Sequence, residues 1–110
     1  TAMKSQIMSN SWGGGNFSQL LLDSINRAKD AGILFVAAAC NESNNNDARP
    51  SYPATYQAEN IVSVAAIDSR GLLADFSSYG KTTVHLAAPG VDVLSYTMAG
   101  LEFWSGTSMA

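Results

Sequence analysis

The chain has 110 residues, 46% of them hydrophobic and 14% charged, with six Lys and Arg against nine Asp and Glu for a formal net charge of −3. It is too apolar for a disordered tail, and without a basic stripe it does not read as a nucleic-acid binder. Its longest apolar stretch, Ile33 to Cys40, is strand-sized rather than a membrane span, and a single cysteine excludes an internal disulfide. This length corresponds to one domain or part of one.

Gln6 to Trp12 reads as a short strand running into a turn at Gly13-Gly14-Gly15. Residues 17–31 read as a helix, because Leu21, Leu22, Ile25, Ala28 and Ala31 recur at spacings of three and four. Asn16 or Ser18 caps its start, Gly32 sits where a terminating glycine belongs, and Asp23 and Arg27 are spaced to pair along one face. Residues 33–39 form an unbroken apolar strand, the pattern of a parallel strand covered on both faces. Residues 41–60 form a polar loop, long enough to be functional or disordered. Ile61 to Ile67 is a second buried strand, followed by a turn at Asp68 to Gly71. Val84 to Ala88 is a third strand, ended by Pro89-Gly90, and Val93 to Thr97 with Leu101 to Trp104 reads as a hairpin. Strand, helix and strand in alternation, with polar loops at the strands' carboxyl ends, indicate an α/β class whose loops carry the site.

The chain closes on Gly106-Thr107-Ser108-Met109-Ala110, a small-residue turn that delivers a serine where a helix could begin. A hydroxyl there is either a helix cap or a nucleophile with free backbone N–H groups beside it. Asn41 directly follows the first buried strand. It is either an ordinary turn residue or an amide held rigidly at the strand end.

In order, the segments Ser9-Asn10-Ser11-Trp12-Gly13-Gly14, Val36-Ala37-Ala38-Ala39-Cys40-Asn41-Glu42, Ser51-Tyr52-Pro53-Ala54 and Gly106-Thr107-Ser108-Met109-Ala110 resemble the C-terminal part of the catalytic domain of a subtilisin-like serine protease, or subtilase, of the peptidase S8 family. Ala74 to Gly80 and Leu86 to Gly90 extend that likeness over essentially the whole chain. The resemblance implies a three-layer α/β fold with a mostly parallel sheet flanked by helices. Residues 1–110 would be part of that domain, without the upstream Asp and His segments and without the helix that continues after Ser108. It implies a serine endopeptidase that forms an acyl-enzyme on Ser108, with Asn41 and the Ser108 N–H in the oxyanion hole. Ser11, Trp12 and Gly13 would form one wall of the primary specificity pocket, and Ala38, Ala39 and Cys40 the other. Trp12 reads equally as a core-packing residue.

The implied partners are a polypeptide substrate and, in the precursor, a prodomain, with a secretory location and neither nucleic acid nor a membrane span in this segment. No cofactor is required. Calcium is compatible with the complete protein, but Asn44-Asn45-Asn46-Asp47 offers one clear carboxylate and reads as a solvated loop. Two positions depart from the family pattern. Cys40 stands where glycine is usual; a positive φ there costs a cysteine about 1–2 kcal/mol, and its side chain either narrows the pocket or is a small buried thiol. His85 stands where an aspartate often helps hold a cation, and reads as a strand or surface residue.

Two further readings compete. One is a catalytically dead subtilase-fold binding protein. The other is a nucleotide-binding α/β domain with Trp12 to Asn16 as a phosphate loop, but that loop lacks both the Lys-Ser/Thr and the glycine spacing such loops need. Taken alone, the 110 residues are expected to be inactive and poorly folded.

Overall fold

A computed structural model describes residues 4–110. In chain order its elements are β1 (Ile7–Asn10), α1 (Gln19–Asp30), β2 (Leu34–Ala38), β3 (Ile61–Ile67), β4 (Leu86–Pro89), β5 (Val93–Thr97) and β6 (Gly100–Trp104). The first four strands form one parallel sheet in sequential order, and β5 and β6 form a separate antiparallel hairpin. Met8 pairs with Phe35 and Phe35 with Ile61, while Val64 pairs with Leu86. All four carboxyl ends therefore lie on one edge, where α/β sheets place their crevice.

Ser18, rather than Asn16, is the helix cap. Its φ of −131° is extended, and its Oγ accepts the Leu21 N–H at 3.3 Å. The Tyr56 hydroxyl accepts the Ser18 N–H at 2.8 Å, tying the helix start to the segment before β3. Ile25 and Ala28 are buried; Ile25 packs with Phe35, Ala37, Ala54, Tyr56 and Ile61, flanked by Leu21 and Leu22. Gly32, at φ +75°, lets the chain leave the helix, and Ala31 remains exposed at its end. The expected Asp23–Arg27 pair is not made. Asp23 instead accepts from Gln19, four residues before it, and Arg27 donates to Ser24, three before it. Among the described residues the ion pair is Asp68–Arg70, at 2.8 Å.

Because strand side chains alternate, α1 covers the face carrying Phe35, Ala37 and Ile61. The opposite face stays partly open, with Ile7 61%, Leu34 39% and Leu86 50% exposed. These residues thus supply the sheet and one of the flanking helical layers. The last parallel strand begins later than expected, at Leu86. His85 precedes it and grips β3 twice: its N–H donates to the Ser63 carbonyl at 3.0 Å and its Nδ1 accepts the Ser63 N–H at 2.8 Å. The imidazole thereby satisfies an amide of a fully buried residue.

Candidate active site

Ser108 lies in a tight turn closed by the Met109 N–H on the Gly106 carbonyl at 3.1 Å. The Gly106 N–H donates to the Gly90 carbonyl at 2.8 Å, seating the turn beyond β4. Gly90 permits this approach. A Cβ there would lie 2.7 Å from both the Ala66 Cβ and the Gly106 oxygen, too close for any side chain. Ser108 Oγ donates to the Ser11 carbonyl at 3.1 Å, and Ser11 Oγ returns a bond to the Ser108 carbonyl at 2.9 Å. The reciprocal pair fastens the turn to the segment leaving β1.

Asn41 reaches the same turn from β2. Its Oδ1 accepts both the Thr107 N–H and the Thr107 hydroxyl, each at 2.8 Å. A backbone N–H can only donate, so the amide oxygen must face Thr107 and Nδ2 must face away from it. Nδ2 stands 3.6 Å from where a Cβ on Gly106 would be. Among the described residues neither Asn41 Nδ2 nor the Ser108 N–H has a hydrogen-bond partner. Both nitrogens lie within 3.7 Å of one point, the place a Cβ on Gly106 would take.

The strand end that carries Asn41 is held by polar groups. Cys40 sits at φ +83°, a left-handed turn just past β2. Beyond the last ladder bond, the Ala39 carbonyl accepts from Asn46 Nδ2 at 3.0 Å, and Asn46 is fully buried. The Cys40 carbonyl accepts the Ser78 N–H at 2.9 Å, and the Asn46 N–H donates to the Tyr79 carbonyl at 2.7 Å. Asp47 anchors the next turn. It accepts N–H and hydroxyl bonds from Thr82 and Thr83, and the Thr83 hydroxyl foremost draws its pKa from the ordinary 3.8 down to about 2. Residues 44–47 are therefore only in part the solvated loop that their polarity suggested: Asn45 and Asp47 are exposed, whereas Asn46 is buried. The oxygens of Asn45, Asn46 and Asp47 are already taken by donors within the protein, so the loop does not fit a cation.

The ends of β1 and β2 border a cleft of about 230 Å³, lined by Ser11 to Gly14, by Ala38 and Cys40 to Glu42, and by Thr107 and Ser108. It gathers Ser108, Asn41, Ser11, Trp12, Gly13, Ala38 and Cys40 into one place. Ala39 is the exception. Strand alternation turns it inward, it is fully buried, and the second wall is Ala38 and Cys40. Trp12 is 51% exposed at the cleft, not in the core. His85 lies outside the cleft, engaged with Ser63. The bonding roles of Thr107, Asn46, Ser78 and Asp47 are not legible in the sequence. Thr107 sat in view beside Ser108, whereas the partners of the other three are distant in the chain.

A family model described as the subtilase family matches residues 1–110. The chain belongs to the subtilase family. It is 37% identical over 112 residues to Subtilisin-like protease 2 of Plasmodium falciparum, covering 97% of this chain and 8% of that one. It is 42% identical over 105 residues to the Thermostable alkaline protease of Halalkalibacterium halodurans, covering 94% of this chain and 27% of that protein. Among solved structures, a protease from Pseudoalteromonas arctica superimposes with a TM-score of 0.86 at 29% identity, over 96% of this chain and 35% of that one. The subtilase fold is thus shared, and these 110 residues span a minor part of each relative's length.

Proposed function

We propose that the complete protein is a serine endopeptidase that cleaves peptide bonds through an acyl-enzyme on Ser108. The observation that carries this reading is the capture of the Asn41 amide oxygen by Thr107, which leaves Nδ2 free beside Ser108. In the proposed reaction Ser108 Oγ releases the Ser11 carbonyl and attacks the substrate carbonyl carbon. The carbonyl oxygen gains the negative charge and accepts from Asn41 Nδ2 and the Ser108 N–H. Donors fixed before the charge develops need no reorganisation, which makes them effective in the transition state. The serine proton passes to a general base and then to the departing amine, and water repeats the sequence to free the acid. His85 is committed to Ser63, so the base is supplied from outside these residues, by a histidine oriented by an aspartate as the family resemblance implies.

Ser11 to Gly14 offers exposed backbone along the cleft, suited to pairing with an extended peptide as an added strand. The polypeptide substrate, a prodomain in the precursor and a secretory location belong to the same proposal. No residue of this segment is asked to hold a cofactor, and any calcium ion would bind elsewhere in the complete protein.

The test is labelling of the complete protein with a serine-directed phosphonate. Covalent mass added at Ser108, and lost in Ser108→Ala, is the expected result. A folded, processed protein that takes up no label would overturn the proposal and favour a catalytically silent binding protein of the same fold.

A further inference from the structure

One of the side chains lining the cleft is a thiol. Cys40 belongs to the wall leaving β2, yet its Sγ reaches the opposite wall. A Cβ built on Gly13 would lie only 2.7 Å from that sulfur, so Sγ rests against the Gly13 backbone. On its other side Ser51 Oγ contacts the same sulfur at 3.1 Å. The thiol thus spans the gap between the two walls.

The backbone is strained to put it there. Cys40 is a non-glycine residue at φ +83°. Such a conformation persists only where surrounding bonds over-determine it, and it concentrates at ligand clamps. Here those bonds are Asn46 on the Ala39 carbonyl and Ser78 on the Cys40 carbonyl. They fix the direction of the Cys40 side chain together with that of Asn41.

We infer that Cys40 sets a size limit on the substrate, restricting the residue on the acyl side of the cleaved bond to small side chains such as alanine. The inference rests on the serine-protease reading for its substrate, but the size limit itself is a property of the cleft. Ser51 supports the sulfur from behind, and Gly13 must remain without a side chain for the thiol to fit.

The experiment uses the complete protein as wild type, Cys40→Ala and Cys40→Gly. Two readouts compare peptides that carry alanine or phenylalanine on the acyl side: kcat/KM for cleavage, and calorimetric binding of the corresponding tetrapeptide acids in a Ser108→Ala background. Wild type is expected to favour alanine in both. Cys40→Gly should raise the phenylalanine-to-alanine ratio about tenfold or more, the scale on which pockets discriminate one or two carbon groups, with Cys40→Ala between. The same ratio in all three proteins, a wild type that prefers phenylalanine, or no binding of either acid would overturn the size limit. Turnover with an unshifted ratio would leave the protease reading intact. A shifted binding ratio without turnover or phosphonate labelling would support the size limit and defeat the protease reading.

Discussion

The two walls of the cleft are built in opposite ways. The wall from β1, Ser11 to Gly14, is exposed along its length and contains consecutive glycines, with Gly14 at φ +96°. It is held from outside, by the Gly14 N–H on the Tyr52 carbonyl at 3.1 Å and by the Ser11–Ser108 exchange. The wall from β2 is backed by two buried residues, the Asn46 side chain and the Ser78 backbone N–H, that hold successive carbonyls and leave little backbone free. A wall that receives an extended peptide must keep its own N–H and C=O groups available. A wall that stabilises a transient charge must keep one donor fixed. The division predicts that damage to the β2 wall appears in turnover, and damage to the β1 wall in binding.

The sharpest test of that division is Asn41→Leu in the complete protein. It removes Nδ2 while filling similar space, and kcat should fall by about 10²–10³ with KM little changed. That magnitude was measured for the oxyanion-hole asparagine in subtilisin, a member of the same family, and is carried over here. A rise in KM of similar size would place Asn41 in ground-state binding and erase the contrast between the walls.

Asn46→Ala should come next. The substitution strips the fully buried Ala39 carbonyl of its partner, while the part-buried Asn44 amide keeps its bond to the Arg49 carbonyl. Leaving such groups unpaired costs about 1–3 kcal/mol of stability. Because the same bond fixes the approach to Asn41, kcat should fall by about tenfold, again with KM preserved. Denaturant midpoints and steady-state kinetics read the two effects separately. A loss of stability with kcat unchanged would show that Asn46 holds the loop but not the donor.

The two walls also differ in how far the sequence disclosed them. The apolar runs ending in Ala39 and Ile67, and the three-and-four spacing of Leu21, Leu22, Ile25 and Ala28, mark elements whose burial follows from local pattern. β2, β3 and α1 accordingly form within a residue or two of their expected bounds. Ser108, Asn41 and the glycines of the β1 wall were legible because they sit in short contiguous motifs. Asn46 was not. Its burial depends on the Ala39 carbonyl seven residues back and on Tyr79 far ahead, and no period in an asparagine run distinguishes the buried member from its exposed neighbours. Ala39 failed differently. Counting it as cleft lining overlooked the alternation that turns every second strand residue inward.

The smallest effect belongs to the outer edge of the β2 wall. Asp47 is exposed, and the Thr83 hydroxyl first, then Thr82, hold its pKa at about 2 against an ordinary 3.8. A carboxyl group with a depressed folded-state pKa stabilises the protein above its unfolded value and loses that contribution as pH falls through the folded one. Asp47 should therefore stabilise residues 80–83 fully above 3.8 and cease to do so as pH approaches about 2. Asp47→Asn keeps an accepting oxygen but has no charge to lose. Thermal midpoints at about pH 5 and about pH 2 should show the variant slightly less stable than wild type at the higher pH and level with it at the lower. A gap that persists at low pH would assign the contribution of Asp47 to hydrogen-bond geometry rather than charge. The β2 wall would then be held, from Ala39 to Thr83, by neutral hydrogen bonds alone.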